Sequence, residues 1–182
     1  VKEHFGNKIE ITWKSFLLKP EMKIPSREKF ERYSKGWETI GSQEPRVNFR
    51  PWEGSSNPPS GSLPAQVAHK LVSTLWPEQQ MQMHQRLLEA YFSENRTISD
   101  WTVLAELVSE LGEDSSYFLQ HLEERKANLT EQVIAEHNEA INQGITAVPT
   151  TLINKVLPVP GAQESATYIN WIERIIARSD SP

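Results

Sequence analysis

The side chains best suited to proton transfer or metal binding are five histidines, His4, His69, His84, His121 and His137. A metal site needs such ligands at fixed spacing, as in a His-Glu-x-x-His turn, and no pair here has it. The sequence therefore implies no metal and no cofactor. His84 and His137 fall on the apolar faces of predicted helices and read as satisfied core residues. His69 lies early in its helix, where an ordinary solvated surface is the stronger reading. There is no cysteine among the 182 residues, so they hold no thiolate nucleophile, no thiolate ligand and no disulfide. No glycine-rich phosphate loop, Gly-x-Ser-x-Gly elbow or spaced carboxylate pair stands out. What remains is backbone and loop chemistry. Val148-Pro149-Thr150 follows a helix end at Gly144 and reads as a proline opening a buried strand. Gly161-Ala162-Gln163 precedes a helix N-terminus, a natural anion site. Trp52, beside a proline and a Gly/Ser loop, is the aromatic best placed to line a groove for unfolded peptides. Trp13, Phe16, Trp37 and Phe49 could join it, with core packing the default reading for Trp13 and Phe16.

The elements that must position these residues follow from periodicity. Residues 1–8 read as a helix tail closed by Gly6. Ile9 to Leu17 alternates apolar and polar residues and predicts a strand. Ser26 begins a charged helix to about Lys35, whose mixed signs make a solvated face. From Gly36 to Ser62 the composition predicts loop, ending in the flexible run Gly54-Ser-Ser-Asn-Pro-Pro-Ser-Gly-Ser62. Five helices should follow. Ser62 caps the first, with Ala68, Leu71 and Val72 buried. Pro77 opens the second, with Met81, His84, Leu87 and Leu88 on its inner face. Ser99 caps the third, which ends before Gly112. Asp114 or Ser115 starts the fourth. The fifth runs from about Leu129 to Gln143, with Val133, Ile134, His137 and Ile141 inward. Thr150–Ile153 and Val156–Val159 predict two strands joined by a two-residue turn at Asn154-Lys155. Ser165 caps a last amphipathic helix.

Bulk properties narrow the function classes. Lys plus Arg number 19 against 24 for Asp plus Glu, a net charge of −5. That gives no electrostatic footprint for nucleic acid. No apolar run is long enough to suggest a membrane partner. Val1-Lys-Glu-His-Phe-Gly6 does not read as a signal peptide, and a cytoplasmic location is the expectation.

The segment Gly144-Ile-Thr-Ala-Val-Pro-Thr-Thr-Leu-Ile-Asn154, followed by Pro160-Gly-Ala-Gln163, resembles the C-terminal half of a thioredoxin-type fold. The nearest resemblance is to DsbA-like thiol–disulfide oxidoreductases of the FrnE type. Trp13-Lys-Ser-Phe-Leu-Leu-Lys-Pro20 is similar to that family's second strand. Ala68-His69, Ala90-Tyr-Phe92 and Ile98-Ser-Asp100 extend the likeness in the same order over nearly the whole chain. It implies an α/β fold, a thioredoxin-like sheet with a large all-helical insertion. Residues 1–25 and 144–182 would form the thioredoxin-like domain and 26–143 the insertion.

In the family an upstream strand and helix carry Cys-x-x-Cys, and that segment is not among these residues. The resemblance then implies dithiol–disulfide exchange on a protein disulfide or small thiol substrate, with no catalytic residue in this chain and the chemistry upstream of Val1. It also implies that Ile9–Leu17 and Thr150–Ile153 share a sheet with room for one strand between them, roughly 9–10 Å apart. The family's counterpart of Val148-Pro149 carries a cis peptide bond, which would leave the Val148 backbone free to pair with an extended peptide or glutathione. Val148, Pro149, Thr150, Trp52 and His69 are thus the candidate substrate-binding residues. Gly161, Ala162 and Gln163 form a candidate anion or thiol-ligand loop. Glutathione-using isomerases and kappa-class transferases carry Ser-Asp where this chain carries Ala162-Gln163. Two other readings stay open: a non-catalytic thioredoxin-like binding module, and a glutathione-dependent enzyme of the 2-hydroxychromene-2-carboxylate isomerase or kappa class. A homodimer is likewise left open.

Overall fold

The computed structural model describes residues 1–43, 47–53 and 55–179. The elements are α1 (Lys2–Phe5), α2 (Arg27–Ser34), α3 (Trp37–Gln43), α4 (Leu63–Leu75), α5 (Gln80–Phe92), α6 (Trp101–Glu110), α7 (Ser115–Asn142), β1 (Thr150–Ile153), β2 (Leu157–Pro160) and α8 (Ser165–Ser179). The chain divides into two compact units, one of residues 1–16 and 136–182, the other of residues 17–135.

The helical unit is built on α4. Its Ala68, Leu71 and Val72 have no solvent exposure, and Met83, Ala90, Leu104, Leu107, Val108 and Phe118 are equally closed. Full burial of one such leucine contributes about 2 kcal/mol, far above the tenths of a kilocalorie by which helix propensities differ. Packing rather than propensity therefore sets which faces turn inward. On α5 the buried stripe is Met83, Leu87 and Ala90. Met81 and Leu88, expected inside, are exposed at 46% and 45%. Asp114 caps α7 by accepting the Ser116 and Tyr117 N–H groups at 2.8 and 3.1 Å. The two helices expected between Ser115 and Gln143 are one helix of 28 residues. The stretch Glu123-Glu-Arg-Lys-Ala-Asn128 contains no glycine or proline to interrupt it.

Two predicted caps fall elsewhere. Asp100, not Ser99, caps α6, accepting the Thr102 N–H at 2.9 Å. The Ser99 hydroxyl instead accepts the Ser60 N–H at 3.0 Å, and the Ser62 hydroxyl accepts the Lys19 N–H at 3.1 Å. These contacts explain why the stretch 55–62 is not the flexible linker its composition suggests. Asn95 Oδ1 accepts the Glu53 N–H at 2.8 Å, and Thr97 donates its hydroxyl to the Asn57 carbonyl. Pro58 is fully buried. Residues 44–46 and 54 of the predicted loop lie outside the described residues. Within that loop, α3 forms where none was expected. Trp37 anchors it in a second cluster with Phe30 and Trp52, packed against Phe49, Tyr91 and Phe92.

An ion network holds α5, α6 and the loop between them. Arg86 donates from Nε to Glu110 and from Nη2 to Glu94, both at 2.6 Å. Arg96 donates to Glu110 and Glu106, both at 2.7 Å. Burial would raise the Glu110 pKa, but the hydrogen bonds from Arg96 and Arg86 outweigh it and hold the carboxyl below its ordinary range.

In the other unit the sheet has two strands, β1 and β2, antiparallel with Thr150 opposite Pro160 and Ile153 opposite Leu157. The predicted strand at Ile9–Leu17 is not formed and shares no sheet with β1. Its alternation is real, but a ladder needs a neighbour. The Ser15 N–H instead donates to the Glu136 carboxylate at 2.7 Å, and Lys14 pairs with Glu136 and Glu139. Ile11 and Trp13 remain 51% and 39% exposed. The hairpin turn has Asn154 at φ 50° and Lys155 at φ 60°, closed by the Val156 N–H to the Ile153 carbonyl at 3.1 Å. The ladder resumes at Leu157, so Val156 is an extra residue and β2 starts one residue later than expected.

Gly144, at φ 77°, ends α7. The Ile145 N–H reaches back to the Ala140 carbonyl at 2.9 Å, a Schellman arrangement. Two substitutions should move stability in opposite directions for one reason, the cost of a Cβ at positive φ. Gly144→Ala should lower it by about 1 kcal/mol, and Lys155→Gly should raise it by about 0.5–1 kcal/mol. Urea midpoints of the two variants against the parent chain check both signs.

Candidate functional site

The turn from Gly144 into β1 carries the best-defined group of candidate residues. The Val148–Pro149 peptide bond is cis. Thr150 donates its hydroxyl to the Ala147 carbonyl at 2.7 Å, which ties the turn to the first residue of β1. The Gly161 N–H donates to the Pro149 carbonyl at 2.8 Å, which brings the loop after β2 alongside. Between these ties, the Val148 N–H and C=O have no hydrogen-bond partner among the described residues. The Val148 side chain is 42% exposed. A free backbone donor and acceptor on one residue can pair with the backbone of an extended chain.

Pro149, Thr150 and the loop Gly161-Ala162-Gln163 are therefore brought together with Val148. The loop's polar groups are partly spent on itself. Besides the Gly161 N–H, the Gln163 amide donates from Nε2 to the Pro160 carbonyl at 3.1 Å. Tyr168 of α8 contributes more. Its hydroxyl accepts from Thr151 at 3.3 Å and donates to the Gly161 carbonyl at 3.4 Å, bracing strand, loop and helix. A tyrosine in an otherwise isoleucine-rich stripe was the available signal, because a half-buried phenol usually finds a partner.

Trp52 and His69 belong to the helical unit. Trp52 is 1% exposed, its indole N–H donating to the Ser56 carbonyl at 3.1 Å, and it packs edge-on to Phe30. This corrects the reading of Trp52 as a groove wall. Its neighbouring Pro and Gly/Ser residues suggested exposure, but the surrounding aromatics close over it. His69 donates from Nε2 to the Gln80 carbonyl at 3.2 Å, and its ring stands 5.9 Å from that of His84. Burial lowers the pKa of His84. His137 is half-buried with its ring edge-on to Phe16.

A family model described as the DSBA-like thioredoxin domain matches residues 1–172. No match to a curated protein sequence was found. Among solved structures, a candidate protein disulfide isomerase from Nitrosomonas europaea superposes with a TM-score of 0.68 at 13% identity. That match covers 87% of this chain and 78% of the other. Cytosolic disulfide reductase DsbM from Pseudomonas aeruginosa, in a structure with GSH, gives 0.63 at 16% identity over 90% and 82% of the two chains. A probable DsbA oxidoreductase from Streptomyces coelicolor gives 0.65 at 18% identity, covering 84% of this chain and 63% of that one. At these identities the structural likeness speaks for the fold. Among the described residues no helix is long and apolar enough to cross a membrane.

Two measurements test this geometry. Thr150→Val keeps the shape but removes the hydroxyl, and should cost about 1 kcal/mol in urea unfolding. For His84, a folded pKa below the ordinary value of about 6.5 means that the unfolded chain binds the proton more readily. Its stabilising contribution is complete above that value and is lost as pH falls through the lowered folded pKa. The urea midpoint of the helical unit should decline as pH falls below about 6.5, and His84→Gln should flatten that decline.

Proposed function

The chain belongs to the DSBA-like thioredoxin domain family and has the DsbA-like thioredoxin fold, and from this we propose that it serves thiol–disulfide exchange of the FrnE type on protein or small thiol substrates in the cytoplasm. The observation that carries the reading is the family match over residues 1–172. The cytosolic assignment leans on DsbM, which is described as cytosolic. In exchange, a thiolate sulfur bonds to one sulfur of a disulfide while the other leaves as a thiolate. These 182 residues contain no cysteine, so the attacking thiolate is not among them. We assign them the holding of the substrate. The Val148 N–H and C=O would pair with the substrate backbone, with Pro149 and Thr150 fixing the turn that presents them.

In this organisation residues 1–25 and 144–182 act as the thioredoxin-like part and 26–143 as the helical insertion. The two compact units divide at other points, 16/17 and 135/136, and match this reading only in setting a hairpin-bearing part apart from a helical one. The glutathione-dependent isomerase or transferase is the weaker reading. Ala162-Gln163 departs from the Ser-Asp those enzymes carry, and two donors of the loop are already occupied.

The polypeptide of these residues, verified as cysteine-free by mass, should reduce insulin no faster than buffer. In a nitrogen-15 NMR titration with a synthetic peptide holding an intramolecular disulfide, the largest amide shifts should centre on Val148. Insulin reduction above background, or shifts confined to other residues, would refute this assignment.

A further inference from the structure

The stretch from Leu18 to Lys35 departs from the rest of the chain in charge and in exposure. It holds six cations and three carboxylates, a net of +3, against −5 for the whole sequence. Arg27 and Arg32 are neutralised by Glu31 and Glu28, each pair at 2.7 Å. Lys23 and Lys29 have no ion-pair partner among the described residues. Leu18, Met22, Ile24 and Tyr33 are 66%, 51%, 64% and 68% exposed. Single exposed apolar side chains are ordinary, but four within one short stretch are not.

The stretch is also held in shape. The Lys19 N–H is bound by the Ser62 hydroxyl at 3.1 Å, and the Lys23 N–H donates to the Ser60 carbonyl at 2.8 Å. Lys19 Nζ lies 4.7 Å over the Phe30 ring, so this loop runs beside α2. On α2, Lys29 and Tyr33 are one turn apart on the same face. Loop and helix thus present apolar side chains interleaved with unpaired ammonium groups.

We propose that this surface docks an acidic polypeptide segment carrying apolar side chains. Its carboxylates would meet Lys23 and Lys29, and its apolar residues would cover Leu18, Met22, Ile24 and Tyr33. Charge complementarity selects the partner. The pinned backbone lowers the ordering cost of docking. A bilayer is less well matched, since two free lysines contribute only about 1 kcal/mol each at an anionic membrane and the apolar side chains sit along a pinned loop beside a helix. The proposal is independent of the thiol–disulfide reading.

The test uses the whole chain and a short fluorescein-labelled peptide of Glu, Leu and Phe, with a control in which Lys replaces Glu. The acidic peptide should bind and the basic one should not. Lys23→Glu with Lys29→Glu should weaken binding by about tenfold or more, and raised salt should weaken it in the parent. Both lysines are solvent-exposed, and circular dichroism verifies that the variant folds. Leu18→Ser with Ile24→Ser should weaken binding independently of salt. Equal binding of the two peptides, or unchanged affinity in the charge variant, overturns the proposal. So does preferential binding to phosphatidylserine vesicles, which would assign the surface to a bilayer. Self-association lost in the charge variant would overturn it in favour of a second copy of the chain.

Discussion

A backbone polar group withdrawn from water must find a partner, and the described residues between α3 and α4 find theirs in α2, in the loop before it and above all in the loop that follows α5. Residues 93–100 leave α5 and turn back on themselves. Their short polar side chains take up the backbone of the facing segment: Asn95 takes the Glu53 N–H, Thr97 the Asn57 carbonyl and Ser99 the Ser60 N–H. The Arg50 N–H adds a bond to the Phe92 carbonyl at 2.8 Å. The buried bond of the segment is that of the Trp52 N–H to the Ser34 hydroxyl at 2.8 Å, where an unpaired donor would cost about 1–3 kcal/mol. Because the segment packs, Pro58 and Trp52 are buried, and the aromatic cluster with Phe30 and Trp37 has a floor. The loop is held in turn by Arg86 and Arg96, whose shared acceptor is Glu110. Arg86 also keeps one nitrogen, Nη1, buried without a hydrogen bond, a local cost the surrounding ion pairs offset.

The smaller unit follows the same rule with fewer resources. Its hairpin has two strands and its last helix has no fully buried residue. Where a third strand was expected, the backbone of Ser15 is satisfied by a carboxylate. In the turn before β1, Val148 has both backbone groups without a partner among the described residues, flanked by the ties of Thr150 and Gly161. A backbone donor and acceptor left unpaired in this way is available to an incoming chain.

Much of this was readable from the residues. The β1 boundaries, the Asn154-Lys155 turn, the glycine stops at Gly112 and Gly144 and the α4 core follow from periodicity and local backbone chemistry. The family follows from the order of short motifs. What was not readable depended on contacts distant in sequence. Ser99 and Ser62 have the composition of caps, but their hydroxyls are claimed by chain segments far away in sequence. Ile9–Leu17 has the alternation of a strand, but alternation says nothing about whether a neighbour exists. Trp52 lies among loop-forming residues, and only the aromatics that fold over it make it core.

The aromatic cluster has an optical consequence. Trp37 and Trp52 are nearly sealed from solvent, and both stand within about 6 Å, ring centre to ring centre, of Phe30 and Tyr91. Closely packed, asymmetric neighbours of this kind couple their electronic transitions, so the cluster should give the helical unit a near-ultraviolet circular dichroism signal. Trp13 and Trp171 of the other unit are partly exposed, as are Trp76 and Trp101 of the helical unit, so only Trp37 and Trp52 are closed off in this way. Loss of that signal on denaturation would therefore time the unpacking of this cluster without any added label.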